Sequence, residues 1–281
     1  MAVDEEFGLV GIGVDIDVLE GTGLAGHKAG AGGEYPQDAW YLLQLTVETQ
    51  NPKILIFDID AGYFTTQKEK GNNALLFYHE FPPGFAKFRY FLDAVADSDL
   101  RSLLFPSYEY PLKTTIQRAG DSFSQKIHHD YDVSHLKGST QEYHENGYIE
   151  RYPVAPQDFP PVNPVLFYRD QVVEENIRYM DRIVEYCRKK GICFVAVSAP
   201  QPEAMIEMFR ENYEDGWDYF TAWCEKRDVP YFNFNTKYYD AFPHDPFQFT
   251  DYEGHMNGTS ARAYSAVLGK ILGQNGIWAN V

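Results

Sequence analysis

The chain has 281 residues and a formal net charge of −17, long enough for one large α/β domain or two small ones. So acidic a chain is a poor partner for a nucleic-acid backbone or an anionic bilayer, whose phosphates would repel it. Its three cysteines, Cys187, Cys193 and Cys224, fit neither a disulfide framework nor a zinc spacing. Apolar runs such as that from Ile192 to Val197 are too short to cross a membrane. The opening MAVDEEF is acidic and has no apolar core, so no signal peptide is expected. From this chain alone the expected compartment is the cytoplasm, or an extracytoplasmic one if an N-terminal anchor has been removed.

In chain order, residues 7–14 (FGLVGIGV) read as a buried strand and 36–50 as a helix with Pro36 in its first turn. Residues 53–59 (KILIFDI) suit a parallel strand buried on both faces. The stretch 83–128 has a mostly helical pattern, broken near Pro106 and Pro111, and 130–168 reads as a surface excursion. From Asp170 the periodicity sharpens. Val173, Ile177, Met180, Val184 and Cys187 recur at helical steps, and Lys189, Lys190 and Gly191 form a helix stop. The strand ICFVAVSAP, a helix over 203–227, the strand VPYFNFN and a final helix over roughly 258–273 follow. This alternation predicts a three-layer α/β/α sandwich around a central parallel sheet, one domain over 1–281 with a surface insertion around 100–168. Ligands of such sheets bind at the carboxyl ends of the strands.

Residues 21–33 read GTGLAGHKAGAGG and begin with G-x-G-x-x-G. A dinucleotide site needs a helix to open where the pyrophosphate sits. Further glycines and Pro36 come first, and each glycine inside a helix costs about 0.8–1.0 kcal/mol relative to alanine. A phosphate-binding P-loop also fails, because His27 precedes Lys28 and Ala29 replaces the metal-binding hydroxyl. The pattern is better read as a loop at the carboxyl edge whose N–H groups face a ligand, or as a plain surface loop.

Near the end, FTDYEGHMNGTSARAYS places Asp251 and Glu253 just ahead of His255, on a loop entering a helix. A carboxylate there can hold the imidazole in the tautomer a general base needs. Alternatively, Asn257 or Thr259 caps the helix and His255 is merely packed beside it. Asp60, at the exit of the 53–59 strand, is a candidate for the cleft floor or a loop cap. The aromatic run over 231–249 suits either a sugar-stacking groove or packing at the end of the sheet. His128, His129, Asp130, Asp132 and His135 have metal-ligand chemistry, but no periodic element pins them, and a solvated acidic loop is expected there.

NIRYMDRIVEYCRKKGICFVAVSAP, VPYFNFN and FTDYEGHMNGTSARAYSAVLGKIL resemble the SGNH (GDSL-like) hydrolase superfamily, in its bacterial polysaccharide-modifying branch. The last segment resembles that family's F-x-D-x-x-H-x-N-x-x-G-A ending, with one extra residue between Asp251 and His255 and with Ser260 before Ala261. IDVLEGTGLAGHKAGAGGEYPQDAWYLLQLTVETQNPKILIFDID and GSTQEYHENGYIERYPV resemble its second block and an insertion seen in that branch. The resemblance implies an SGNH/flavodoxin-like sandwich that hydrolyses or transfers the acyl group of an ester, often on carbohydrate. It makes His255 the base and Asp251 its orienter, with Glu253 competing, and gives Gly32 or Gly30 as the oxyanion donor. No cofactor or metal is implied.

The chain departs from that family where its serine nucleophile would stand. No serine precedes Ser98, and the turn after the first strand reads GIGVDID. Gly11 fits the leading glycine, Gly13 or Val14 lies near the nucleophile's place, and Asp15 is the nearest reactive side chain. Thr22 and Ser198 are the alternative hydroxyls. Two functions stay open: an esterase or O-acyltransferase acting on a saccharide or lipid ester, and a pseudoenzyme that binds a glycan or protein without turnover.

Overall fold

The structure, a computed structural model, describes residues 7–12, 25–28, 35–67, 78, 81–95, 137–144, 149–161 and 164–280. The chain divides into two compact units, Met1–Gln67 with Thr140–Val281, and Lys68–Ser139. In the second unit, helix α2 (Phe85–Tyr90) runs into a wider turn over Phe91–Val95. The ring of Tyr90 stacks on Phe81 at 4.9 Å. The rest of the helical pattern expected over 83–128 lies outside the described residues, as does the 128–135 cluster.

The first unit is built on five parallel strands: β1 (Phe7–Ile12), β2 (Ala25–Lys28), β3 (Ile54–Asp58), β6 (Cys193–Ser198) and β7 (Tyr231–Asn233), in the order β2-β1-β3-β6-β7. Strand β2 corrects the expectation of an unbroken glycine loop over 21–33. Residues Ala25–Lys28 pair in parallel with β1 through their main chain, which demands little of the side chains. A short antiparallel hairpin, β4 (Gln141–Tyr143) and β5 (Ile149–Arg151), forms a separate sheet in the same unit. Part of the stretch read as a surface excursion therefore belongs with the main sheet.

Alternation along the strands sorts the core into two faces. Ile54, Ile56, Val195 and Val197 pack with Leu268 and Leu272 of the last helix, α6 (Gly258–Gln274). Leu55, Phe57, Phe194 and Ala196 pack on the other face. Their partners come from α1 (Pro36–Gln50), α3 (Glu174–Lys190) and α5 (Arg210–Lys226). Helices thus cover both faces, as a fully apolar parallel sheet requires. Helix α3 ends where the sequence signals, with Gly191 left-handed at φ 72°. The single helix expected over 203–227 is two, α4 (Glu203–Met208) and α5, because Phe209 leaves helical geometry at φ −123°, ψ 35°.

The strand order reverses between β1 and β3. In an open parallel sheet the loops on either side of that point diverge and leave a crevice at the carboxyl ends. Asp58, Ile59 and Asp60 leave β3 at that edge.

Candidate active site

A cleft of about 230 Å³ opens at the carboxyl edge, lined by the exits of β3 and β6, by α5 and by the 253–256 turn. Its floor starts at Asp60, whose Oδ1 accepts the N–H of Gly62 at 3.1 Å and starts a short 3₁₀ turn over Ala61–Phe64. Gly62 has to be glycine here, since a Cβ would stand 2.0 Å from the carbonyl oxygen of Val165. That approach brings the 165–167 segment alongside as one wall, and Asn212 holds it by donating to the Phe167 carbonyl at 2.9 Å. Gly216 lets α5 approach the same turn, because a Cβ there would lie 2.8 Å from Ala61 Cβ. Tyr213 and Trp217 on α5 then face the cleft.

The β6 exit is tied down by side chains. Asn235 accepts from Gln201 N–H at 2.7 Å and donates to the Ala199 carbonyl at 2.8 Å. Ser198, one of the alternative hydroxyls, is only 3% exposed. Its Oγ lies 3.0 Å from the Ile59 carbonyl and 2.7 Å from the Tyr231 hydroxyl. That hydroxyl is committed to joining β6 to its neighbours.

His255 and Asp251 come together as the sequence suggests. Phe249 and Met256 form an isolated antiparallel bridge, and Thr250 N–H donates to the His255 carbonyl at 2.7 Å, closing a tight turn. Gly254 sits in it at φ 87°, a conformation open to glycine but strained for other residues. His255 Nδ1 lies 2.8 Å from Asp251 Oδ2, and the imidazole is 46% exposed while the carboxylate is only 11% exposed. Asp251 Oδ1 accepts two backbone N–H groups, from Glu253 at 2.9 Å and His255 at 3.3 Å. Asp251 is therefore the carboxylate that holds the imidazole, and Glu253 contributes its amide to the turn. Burial raises the carboxyl of Asp251, but the hydrogen bond and charge of His255, with Arg151 beyond, outweigh it and hold the group below its ordinary range.

Arg151 is the member that sequence reading missed. Its Nη1 lies 2.9 Å from Asp251 Oδ2, the oxygen that also meets the imidazole. No local pattern marks it, because the contact spans a hundred residues. Asp60 is among the residues that line the cleft. Although open to the cleft, its carboxyl is pushed up to about 6, chiefly by desolvation. The charge of Glu253 adds to that rise, while the Gly62 amide and His255 oppose it. Burial pushes Tyr63 up to about 12, with Asp60 and Glu253 adding to it. Gly13, Asp15, Gly30, Gly32 and Thr22 lie outside the described residues.

The sign for Asp60 is testable. A carboxyl raised from 3.8 to about 6 in the fold costs stability when ionised, above pH 6, and costs nothing once protonated in both states. An Asp60→Asn variant, whose amide oxygen can still accept from Gly62, is expected to melt above wild type at pH 8. The gap should close as the pH falls from about 6 to about 4. Paired thermal melts check this, and a gap that stays constant with pH would contradict desolvation as the cause.

Among the described residues no group of three or more His, Cys, Asp or Glu is placed to hold a metal ion, and no helix is long and apolar enough to cross a membrane. The three cysteines are unpaired. Burial pushes Cys187 and Cys224 up to about 12, which leaves their thiols inert.

No protein-family profile matches the chain, and no curated protein matches it in sequence. Two solved structures superpose over most of its length. One is a candidate acylhydrolase from Bacteroides fragilis, at 9% identity and a TM-score of 0.43, covering 97% of this chain and 89% of that one. The other is a GDSL-like lipase from Bacteroides thetaiotaomicron, at 11% identity and a TM-score of 0.38, covering 98% and 91%. Both superpositions are loose, and neither bears on the chemistry of this cleft.

Proposed function

We propose that the protein is an SGNH-type hydrolase-like protein, an esterase or O-acyltransferase acting on an acyl ester of a saccharide. The observation that carries this reading is the Asp251–His255 pair at the carboxyl edge of the sheet. A buried carboxylate takes the Nδ1–H of a half-exposed imidazole at 2.8 Å. That bond leaves Nε2 as the basic nitrogen.

His255 Nε2 takes the proton of an attacking hydroxyl or water as its oxygen bonds to the ester carbonyl carbon. The acyl C–O bond then breaks, and the imidazolium returns the proton to the departing alkoxide. Direct attack by the acceptor suits a chain with no serine before Ser98. Asp60, on the cleft floor, is a second group able to carry a proton near neutral pH. Tyr213 and Trp217 supply apolar surface of the kind that stacks on sugar rings.

The same lack of an early serine favours the second reading, a glycan- or protein-binding pseudoenzyme. Release of p-nitrophenolate from p-nitrophenyl acetate separates the two. Wild type is expected to exceed the buffer rate, and His255→Ala to fall back to it. Equal rates from both proteins would overturn catalysis and leave the binding reading.

A further inference from the structure

Arg151 does not belong to the turn that builds the His255–Asp251 pair, yet it shares the oxygen on which the pair depends. Asp251 Oδ2 lies 2.8 Å from His255 Nδ1 and 2.9 Å from Arg151 Nη1. The Arg151 side chain is 34% exposed, so water screens its charge only in part. Strand β5 is docked beside the pair by a second contact. Glu150 accepts from Arg262 Nη1 of α6 at 3.0 Å and pairs with His144 Nε2 at 3.1 Å. Its side chain lies over the first residue of α6, where a Cβ on Gly258 would stand 2.4 Å from Glu150 Oε1. A carboxylate at that end of a helix also meets the positive end of the helix dipole. The hairpin thus grips the loop–helix junction at two neighbouring residues.

We propose that Arg151 is a positioning residue for the catalytic pair: it clamps Asp251 from the β4–β5 hairpin. This rests on the reading of His255 as a base. A guanidinium can only donate, so its bond to Oδ2 holds the carboxylate in the rotamer that faces the imidazole. Arg151 is the one cation against this pair among the described contacts.

The test is the Nδ1–H proton resonance of the His255 ring, read by NMR in the full chain at one fixed pH. Wild type is expected to show the downfield signal of a proton held between Nδ1 and Asp251, and Arg151→Met to lose or broaden it as the carboxylate leaves that rotamer. Arg151→Lys can still donate to Oδ2 and is expected to keep the signal. Arg262→Met loosens the Glu150 contact without touching the pair and is also expected to keep it. If Arg151→Met does not fold, Arg151→Gln, whose side chain is too short to reach Oδ2, makes the same distinction. An unchanged signal in the shortened or apolar variant would overturn the proposal, and so would no signal in wild type or an equal loss in Arg262→Met. The signal needs no turnover, so an inactive wild type would count against the esterase reading alone.

Discussion

Asp251→Asn is expected to lose about 10⁴-fold in kcat toward p-nitrophenyl acetate, the scale seen when the orienting carboxylate of a His-based site becomes an amide. All four groups that meet Asp251 are donors: His255 Nδ1, Arg151 Nη1, and the amides of Glu253 and His255. A carboxylate can accept all of them and an amide cannot. With the asparagine NH₂ turned toward the imidazole, Nδ1 must become an acceptor, Nε2 carries the proton, and the base is lost; Arg151 then also faces a donor. With the NH₂ turned the other way, it faces two backbone N–H groups that have no other partner described.

Each such donor–donor conflict in a mostly buried site costs about 1–3 kcal/mol, so the variant should also melt lower than wild type. Asp251 is held below its ordinary range in the fold, so its contribution is full above the unfolded value and fades as the pH falls through the folded one. The gap in melting temperature should therefore be wide at pH 7 and begin to shrink only as the pH falls below about 4. Steady-state kinetics with melts at both pH values check the pair of effects. Full activity in the variant would remove Asp251 from the mechanism.

The largest loss of stability is expected from Phe220→Ala, about 3–5 kcal/mol. Phe220 is 0% exposed. Its ring lies 4.6 Å from Phe64 and 6.3 Å from Trp223, edge-on in both cases. It also meets Phe167 at 6.4 Å and Tyr219 at 5.2 Å. The neighbours are large rings on three different segments, so they cannot collapse together into the space. Phe64 ends the 3₁₀ turn that starts at Asp60, and Phe167 belongs to the opposite wall of the cleft. The void would thus loosen the supports on both sides of Asp60. At about 2–4 °C per kcal/mol for a unit of this size, the melting temperature should drop by roughly 10 °C. A drop of only a degree or two would show that the aromatic cluster repacks.

Local and periodic features were legible in the sequence. The apolar run from Ile54 and the alternation of strands with amphipathic helices required a parallel sheet covered on both faces, since such strands have no polar side to turn to water. The 36–50 helix and the Gly191 stop follow from proline and glycine geometry alone. Asp251 and His255 were legible for the same reason, being four residues apart in one turn. Strand β2 was not, because an edge strand rich in small residues pairs through its main chain and carries no side-chain signal. The choice of Asp251 over Glu253 depended on the φ of Gly254 and on which amides the turn directs inward. The contact that commits the Ser198 hydroxyl joins it to Tyr231 on the neighbouring strand, which no local pattern records. Arg151 reaches the pair from a distant segment and Asp60 lies within range of its charge, and only the packing of hairpin, sheet and last helix decides which distant charges meet there. Periodicity reports which face a residue buries. It carries no record of what the residue meets there.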